Sequence, residues 1–170
     1  MIDLEPITDA SVDLFKDIRL RALQDSPGAF GSTYAWESQL PDAEWMNRVR
    51  RWNGITGIGY LAMNEGIPCG IAGCLLHEDD ATGAQLISMW VAPAHRKLGV
   101  GRLLVEEAGR WARSRGALRL QLMVTGRNES AIRFYQRLGF AFTGKTIPYR
   151  NDPTEIEREM ELAIADATGT

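Results

Sequence analysis

Apolar positions along this chain follow two rhythms, one of period two and one near 3.6, and their alternation lays out the elements. Ile2 and Leu4 alternate as a short strand, after which Val12, Phe15, Ile18 and Ala22 recur at helical spacing behind Thr8 or Asp9 as N-cap. Ser26-Pro27-Gly28 ends that helix, residues 29–41 read as irregular, and a second helix starts near Asp42 with Trp45, Val49 and Trp52 on one face. Asn53-Gly54 turns the chain into two strands, Ile58 to Met63 and Ile67 to Leu76, joined at Asn64-Glu65-Gly66, where glycine suits the positive φ of a short hairpin loop. Pro68 belongs at a strand start or an edge.

A polar loop, 78–83, leads to the strand 84–91. Helix 102–115 carries Leu104, Ala108, Trp111 and Ala112 on one stripe and closes at Gly116; Leu118 to Val124 is the next strand. Asn128 caps a further helix bearing Ala131, Phe134, Tyr135 and Leu138, which Gly139 terminates. Phe140 to Lys145 and Ile156 to Leu162 are the last strands, the second alternating Ile156, Arg158, Met160 and Leu162 against four glutamates. Residues 163–170 are expected to fray as a flexible tail, leaving 1–162 as a single domain.

The densest chemistry lies where the strand 84–91 meets its helix, through Pro93, Arg96, Lys97, Gly99 and Gly101. A helix N-terminus offers amides without intrahelical partners and the positive end of the macrodipole, so it holds an anion such as phosphate without a metal. Two nucleotide motifs are excluded. Gly101 is followed by Arg102 and Leu103, so a Walker A loop lacks both its lysine and its magnesium-binding hydroxyl. Gly99-Val100-Gly101 runs on to Leu104 instead of a third glycine, and Gln121 stands where a dinucleotide fold needs an acid.

Arg96-x-x-Gly99-x-Gly101 after a strand ending at Val91 resembles the acyl-CoA pyrophosphate loop of the GNAT N-acetyltransferase superfamily. The resemblance continues downstream in Asn128, Ala131 and Phe134-Tyr135-x-x-Leu138-Gly139-Phe140, and covers residues 84–145 best. It implies an α/β (α+β) GNAT fold: a mixed six- to seven-stranded sheet, splayed between the fourth and fifth strands and flanked by about four helices. It implies acetyl-CoA as co-substrate, with no metal. Backbone groups of Met89, Trp90 and Val91 would pair with the pantetheine arm like an added strand. Arg96, Lys97, Leu98, Gly99, Val100, Gly101, Arg102 and Leu103 would hold the pyrophosphate, with Asn128, Ala131, Phe134 and Tyr135 completing the cofactor side.

Attack of an amine on a thioester needs a deprotonated nucleophile, a donor for the oxyanion and an acid for the thiolate. By the same resemblance Tyr135 supplies the acid, Asn128 donates to pantetheine or acceptor, and the Val91 N–H serves the oxyanion. From the residues alone, Tyr135 is also readable as a half-buried aromatic and Asn128 as a plain helix cap. No Asp, Glu or His lies in 84–91, where some family members place a base; Gln85 is nearest and cannot act as one. That leaves Glu37, Glu78, Asp79 or His77 acting through water, or an acceptor that arrives partly deprotonated. Phe30, Ser32, Tyr34, Trp36 and Glu37 fall where the family usually lines its acceptor pocket, while Trp45 and Trp52 suit the core.

Bulk properties fit one globular domain: 170 residues, 45% hydrophobic and 24% charged, a length that buries roughly 70% of its unfolded surface. The acidic start lacks a signal-peptide pattern and no segment approaches a membrane span, so a cytoplasmic location without membrane contact is expected. Cys69 and Cys74, five apart in one strand, are expected on opposite faces as buried thiols. Net charge is −3, yet residues 91–150 carry +9 and the remainder −12. That dipole suits an anionic ligand on the C-terminal half and is weakly compatible with a cationic acceptor. It brings no DNA- or RNA-binding motif, so no nucleic-acid partner is expected.

The leading expectation is acetyl transfer to the primary amine of a small molecule, an amine, amino acid or antibiotic-like compound. Acetylation of a protein N-terminus or lysine, and a non-catalytic acyl-CoA-binding module, are the alternatives. The resemblance leaves a homodimer open.

Overall fold

The computed structural model describes residues 1–164. Its elements run β1 (Ile2–Pro6), α1 (Val12–Asp25), α2 (Tyr34–Glu37), α3 (Asp42–Arg50), β2 (Gly57–Asn64), β3 (Ile67–Leu76), β4 (Gly83–Val91), α4 (Val100–Ser114), β5 (Arg119–Thr125), α5 (Glu129–Arg137), β6 (Ala141–Tyr149) and β7 (Asp152–Ala163). The seven strands form one sheet in the order β1-β2-β3-β4-β5-β7-β6. Every neighbour is antiparallel except β4 and β5, which run parallel.

Period-two alternation sorts the sheet's side chains onto two cores. On one face Tyr60, Ala62, Leu86, Leu120, Leu122, Val124 and Met160 pack with Leu104, Val105 and Ala108 of α4 and with Tyr135 of α5. On the other, Leu61, Met63, Ile71 and Trp90 pack with Phe15, Ile18 and Ala22 of α1 and with Trp45 and Val49 of α3. Gly116 (φ 93°) and Gly139 (φ 102°) end α4 and α5 in the left-handed conformation, as their sequence positions predict.

The sheet opens at the parallel pair. Gly83, Ala84 and Gln85 pair with Arg119, Leu120 and Gln121, after which β4 and β5 part company. The splay between the fourth and fifth strands is thus present, with five helices around the sheet instead of about four.

Three further expectations change. The span 29–41, read as irregular, contains α2, a single turn capped by the Thr33 hydroxyl, which accepts from the Trp36 N–H at 3.3 Å; four residues are too few for a periodic signal. Cys69 and Cys74 remain free and buried but share the α4 core. A bulge at Cys69, where Ala62 pairs with Gly70 and Met63 with Pro68, resets the alternation. The tail does not begin at 163: Ala163 pairs with Arg119, and the Ile164 N–H donates to the Leu118 carbonyl at 2.9 Å. The rest of the expected tail, 165–170, lies outside the described residues. Among the described residues no helix is long and apolar enough to cross a membrane.

Candidate active site at the splay between β4 and β5

On the α4 side, the turn after β4 does what its glycines predict. Lys97 (φ 65°) and Gly99 (φ 84°) adopt left-handed conformations, and Gly99 caps α4. The first turn of α4 closes where the Leu103 N–H donates to the Gly99 carbonyl at 3.1 Å. The amides of Val100, Gly101 and Arg102 therefore stand at the free N-terminus of a 15-residue helix. A Cβ on Gly101 would lie 2.9 Å from Cζ of Phe134 and 3.2 Å from Cε of Met89. The missing side chain thus lets α5 and β4 close against the turn. Leu98 and Leu103 are exposed, Val100 is buried.

Arg96 points elsewhere than the sequence suggests. Its Nε donates to the Val91 carbonyl at 3.0 Å and its guanidinium pairs with Asp25, which also accepts from Trp90 Nε1 at 3.0 Å. Its charge shapes the turn from behind. The Ser26 hydroxyl first, then Trp90 and Arg96, hold the Asp25 carboxyl below the usual range.

Tyr135 is 8% exposed, with its ring 5.1 Å from Phe134 and 5.5 Å from Phe140 in edge-on contacts. Burial raises its phenol well above the ordinary value, which keeps it protonated as an acid must be. Asn128 is a helix cap: its Oδ1 accepts from the Ala131 N–H at 3.3 Å. Ala131 and Phe134 pack against the α4-side core.

On the α1 side, β4 carries a bulge that the apolar run concealed. Ile71 pairs with Trp90 but Gly73 pairs with Ile87, so one extra residue sits at Ser88, whose φ is 56°. The bulge turns Ile87 and Ser88 to the same face, where they line a cavity of about 130 Å³ with Phe15, Arg19, Arg48 and Trp52. Trp52 covers Gly59 and Gly73, whose absent side chains make room for its ring.

Glu37 is wholly buried beneath this cavity between two arginines, accepting from Arg19 Nε at 3.0 Å and pairing with Arg48. Burial lowers the Arg19 pKa, against the opposing charge and hydrogen bond of Glu37. Arg19 also reaches Ser88 Oγ at 3.3 Å, tying α1, α2 and the bulge together. Glu37 is therefore a structural anion and not the free base the sequence suggested. The other three candidates fail by position. His77, bonded through Nε2 to Gln121 Oε1 at 2.7 Å, and Glu78 and Asp79 beyond it lie at the paired end of β4 and β5, away from the opening.

Of the expected acceptor residues, Phe30 is a core residue with Arg19 stacked 4.8 Å from its ring centroid, whereas Tyr34 and Trp36 are exposed on α2. Ser32 contributes its carbonyl. The β6–β7 tip reaches across to this loop: Tyr149 Oη donates to the Phe30 carbonyl at 2.6 Å, and Asn151 Nδ2 donates to the carbonyls of Phe30 at 2.9 Å and Ser32 at 3.3 Å. Thr125 Oγ1 bonds the Gly28 carbonyl at 3.5 Å. Sequence reasoning missed Asp25, Arg19, Arg48, Tyr149 and Asn151, which act through contacts distant in sequence. Ser88, a polar residue inside the apolar run 86–91, was the one local signal.

The sheet's single parallel pair, its opening, and the glycine-capped helix beyond it coincide with a profile match: residues 17–140 fit the Acetyltransferase (GNAT) family. The chain belongs to that family. Streptothricin acetyltransferase from Streptomyces lavendulae is 54% identical over 75 residues, 44% of this chain and 40% of that protein, so the chain spans about two fifths of that relative. The structure of nourseothricin acetyltransferase superposes with a TM-score of 0.60 at 30% identity over 64% of this chain and 66% of its own. For the fold alone, yncA from Salmonella typhimurium, solved with its cofactor acetyl-CoA, gives a TM-score of 0.79 at 17% identity over 99% and 96% of the two chains.

Proposed function

We propose that this GNAT protein transfers the acetyl group of acetyl-CoA to a primary amine of a small cationic molecule by direct attack on the thioester. One observation carries the reading: beyond the last β4–β5 pair a helix N-terminus with unpartnered amides stands on one face of the sheet, and on the other the bulged part of β4 lines a cavity with α1 and the end of α3. Coenzyme A is a polyanion with an extended amide-bearing arm. The free amides of Val100, Gly101 and Arg102, with Lys97 beside them, suit its pyrophosphate, and the edge of Met89 to Val91 that β5 leaves open, with Arg96 on the Val91 carbonyl, suits the arm. Tyr135, kept protonated by burial, serves as acid to the departing thiolate.

A small acceptor is favoured over a protein by the tether across the cleft, since a polypeptide needs an open groove and the β6–β7 tip ties down residues 27–32. A cationic acceptor is favoured by Glu157 on the α1-side face of β7, opposite Arg158 and Met160, whose flanking glutamates are taken up by Arg127, Lys145 and Gln121. The names of the streptothricin and nourseothricin relatives point to antibiotic amines as the first acceptors to try.

The test is release of CoA thiol in the presence of streptothricin-type, aminoglycoside and simple amines, alongside peptides, for wild type and Tyr135→Phe. Turnover on small amines, cut about 100-fold or more in the variant, supports the reading. Turnover confined to peptides supports the protein-acetylating alternative; acetyl-CoA binding without turnover supports a binding module.

A further inference from the structure

The proposed reaction lacks a base, because Glu37 is locked between Arg19 and Arg48, Asp25 between Trp90 and Arg96, and His77 lies at the paired end of the seam. We propose that Glu157 of β7 takes the proton of the acceptor amine. This rests on the acetyl-transfer reading above.

Placement comes from register. Glu157 pairs with Thr125, the last residue of β5 and well inside the stretch where β5 has separated from β4. Directly paired residues share a face, and Thr125 sends its hydroxyl to Gly28 in the loop that bounds the cleft. Tyr135 belongs to the core on the opposite face. Acid and base thus flank the seam from two sides, as they must if the amine approaches from one side and the sulfur departs toward the other.

Availability distinguishes Glu157 from its neighbours. Glu155 pairs with Arg127, Glu159 accepts from Thr143 Oγ1 at 2.9 Å and pairs with Lys145, and Glu161 accepts from Gln121 Nε2 at 2.7 Å. Among the described residues the Glu157 carboxylate has no hydrogen bond or ion pair, although its backbone is held in the ladders to Thr125 and Ile147. The charged and titratable groups nearest it are Glu155 and Glu159 along β7, Lys145 and Tyr149 from β6, and Arg127 beyond the end of β5; the loop 26–32 carries no charge. Half-burial raises its pKa above the ordinary 4.5, which makes it a stronger proton acceptor than a solvated carboxylate.

The proton balance closes. Glu157 removes one proton from the ammonium and passes it to water, freeing the nitrogen lone pair. That pair forms the C–N bond as the thioester C=O opens to an oxyanion. Collapse restores C=O and breaks C–S, and the electron pair leaves on sulfur, which takes the Tyr135 proton. The second nitrogen proton goes to solvent, from which Tyr135 is reprotonated.

The experiment compares kcat/KM for a reactive small amine against pH in wild type, Glu157→Gln and Glu157→Asp, with acetyl-CoA affinity measured in each. Glu157→Gln is expected to lose about 10²- to 10⁴-fold at pH 7 and to recover tenfold per pH unit as free amine accumulates. Glu157→Asp should retain part of the rate, and acetyl-CoA should bind all three alike. A rate within threefold of wild type, or a uniform loss with the wild-type pH profile, overturns the assignment. A wild type that binds acetyl-CoA and acetylates no small amine overturns the functional reading itself, and this assignment with it.

Discussion

The two sides of the β4–β5 opening are built in different ways. On the α4 side the working parts are backbone: three amides ahead of a helix, two left-handed residues and an unpaired strand edge, all within about a dozen consecutive residues. On the α1 side they are side chains delivered from far apart, with Arg19 meeting Glu37 and Ser88, and Asn151 meeting Phe30. A backbone cradle can serve the same donor in many proteins while the side-chain cleft is rebuilt for each acceptor. Substitutions should therefore separate the two halves.

Gly101→Asp is expected to have the largest effect. It sets a carboxylate among the amides and drives a Cβ to 2.9 Å from Phe134, so acetyl-CoA affinity should fall about 100-fold or more, roughly 2.7 kcal/mol. Calorimetric titration checks this; unchanged affinity would break the comparison on its donor side.

Next comes Glu37→Gln, which leaves two guanidiniums facing each other without their buried anion. Breaking such a pair costs about 3–5 kcal/mol, so Tm should drop by roughly 10 °C. Acetyl-CoA binding by the folded fraction should be preserved, and a thermal melt with and without acetyl-CoA reads both.

Asn151→Ala should act on the acceptor alone. Losing its bonds to Phe30 and Ser32 is worth about 1–2 kcal/mol, so KM for the amine should rise about tenfold while KM for acetyl-CoA moves less than twofold. Equal changes in both constants would show that the halves are not separable.

The smallest effect concerns Asp25, whose pKa lies below its ordinary 3.8 in the folded protein. A depressed carboxyl contributes stability that is complete above the unfolded value and is lost as pH falls through the folded one. Asp25→Asn should therefore melt a few degrees below wild type at pH 7, with the gap closing as pH falls below 3.8.

This contrast also explains what could be read from the sequence. Gly99, Gly101, Gly116 and Gly139 mark local backbone requirements, and Phe134-Tyr135 with Leu138-Gly139 marks a helix and its stop, so the turn and helices of the α4 side were legible in the sequence. The succession of strands and helices along the chain followed from the two periodicities, and the splayed sheet from the family resemblance. Arg96 was recognised yet misdirected, because its partner Asp25 lies 71 positions away. Glu37 resembled a free base until two arginines closed on it. The Ser88 bulge and the face of Glu157 depend on strand register, and register emerges only when the partner strands are in place.

Backbone hydrogen exchange on adding acetyl-CoA tests the proposed placement of the donor on one side of the seam. New protection is expected at residues 89–91 and 98–103, with residues 27–32 and 149–151 unchanged until an amine is also present. Protection at 27–32 and 149–151 with the glycine turn unaffected would contradict that placement.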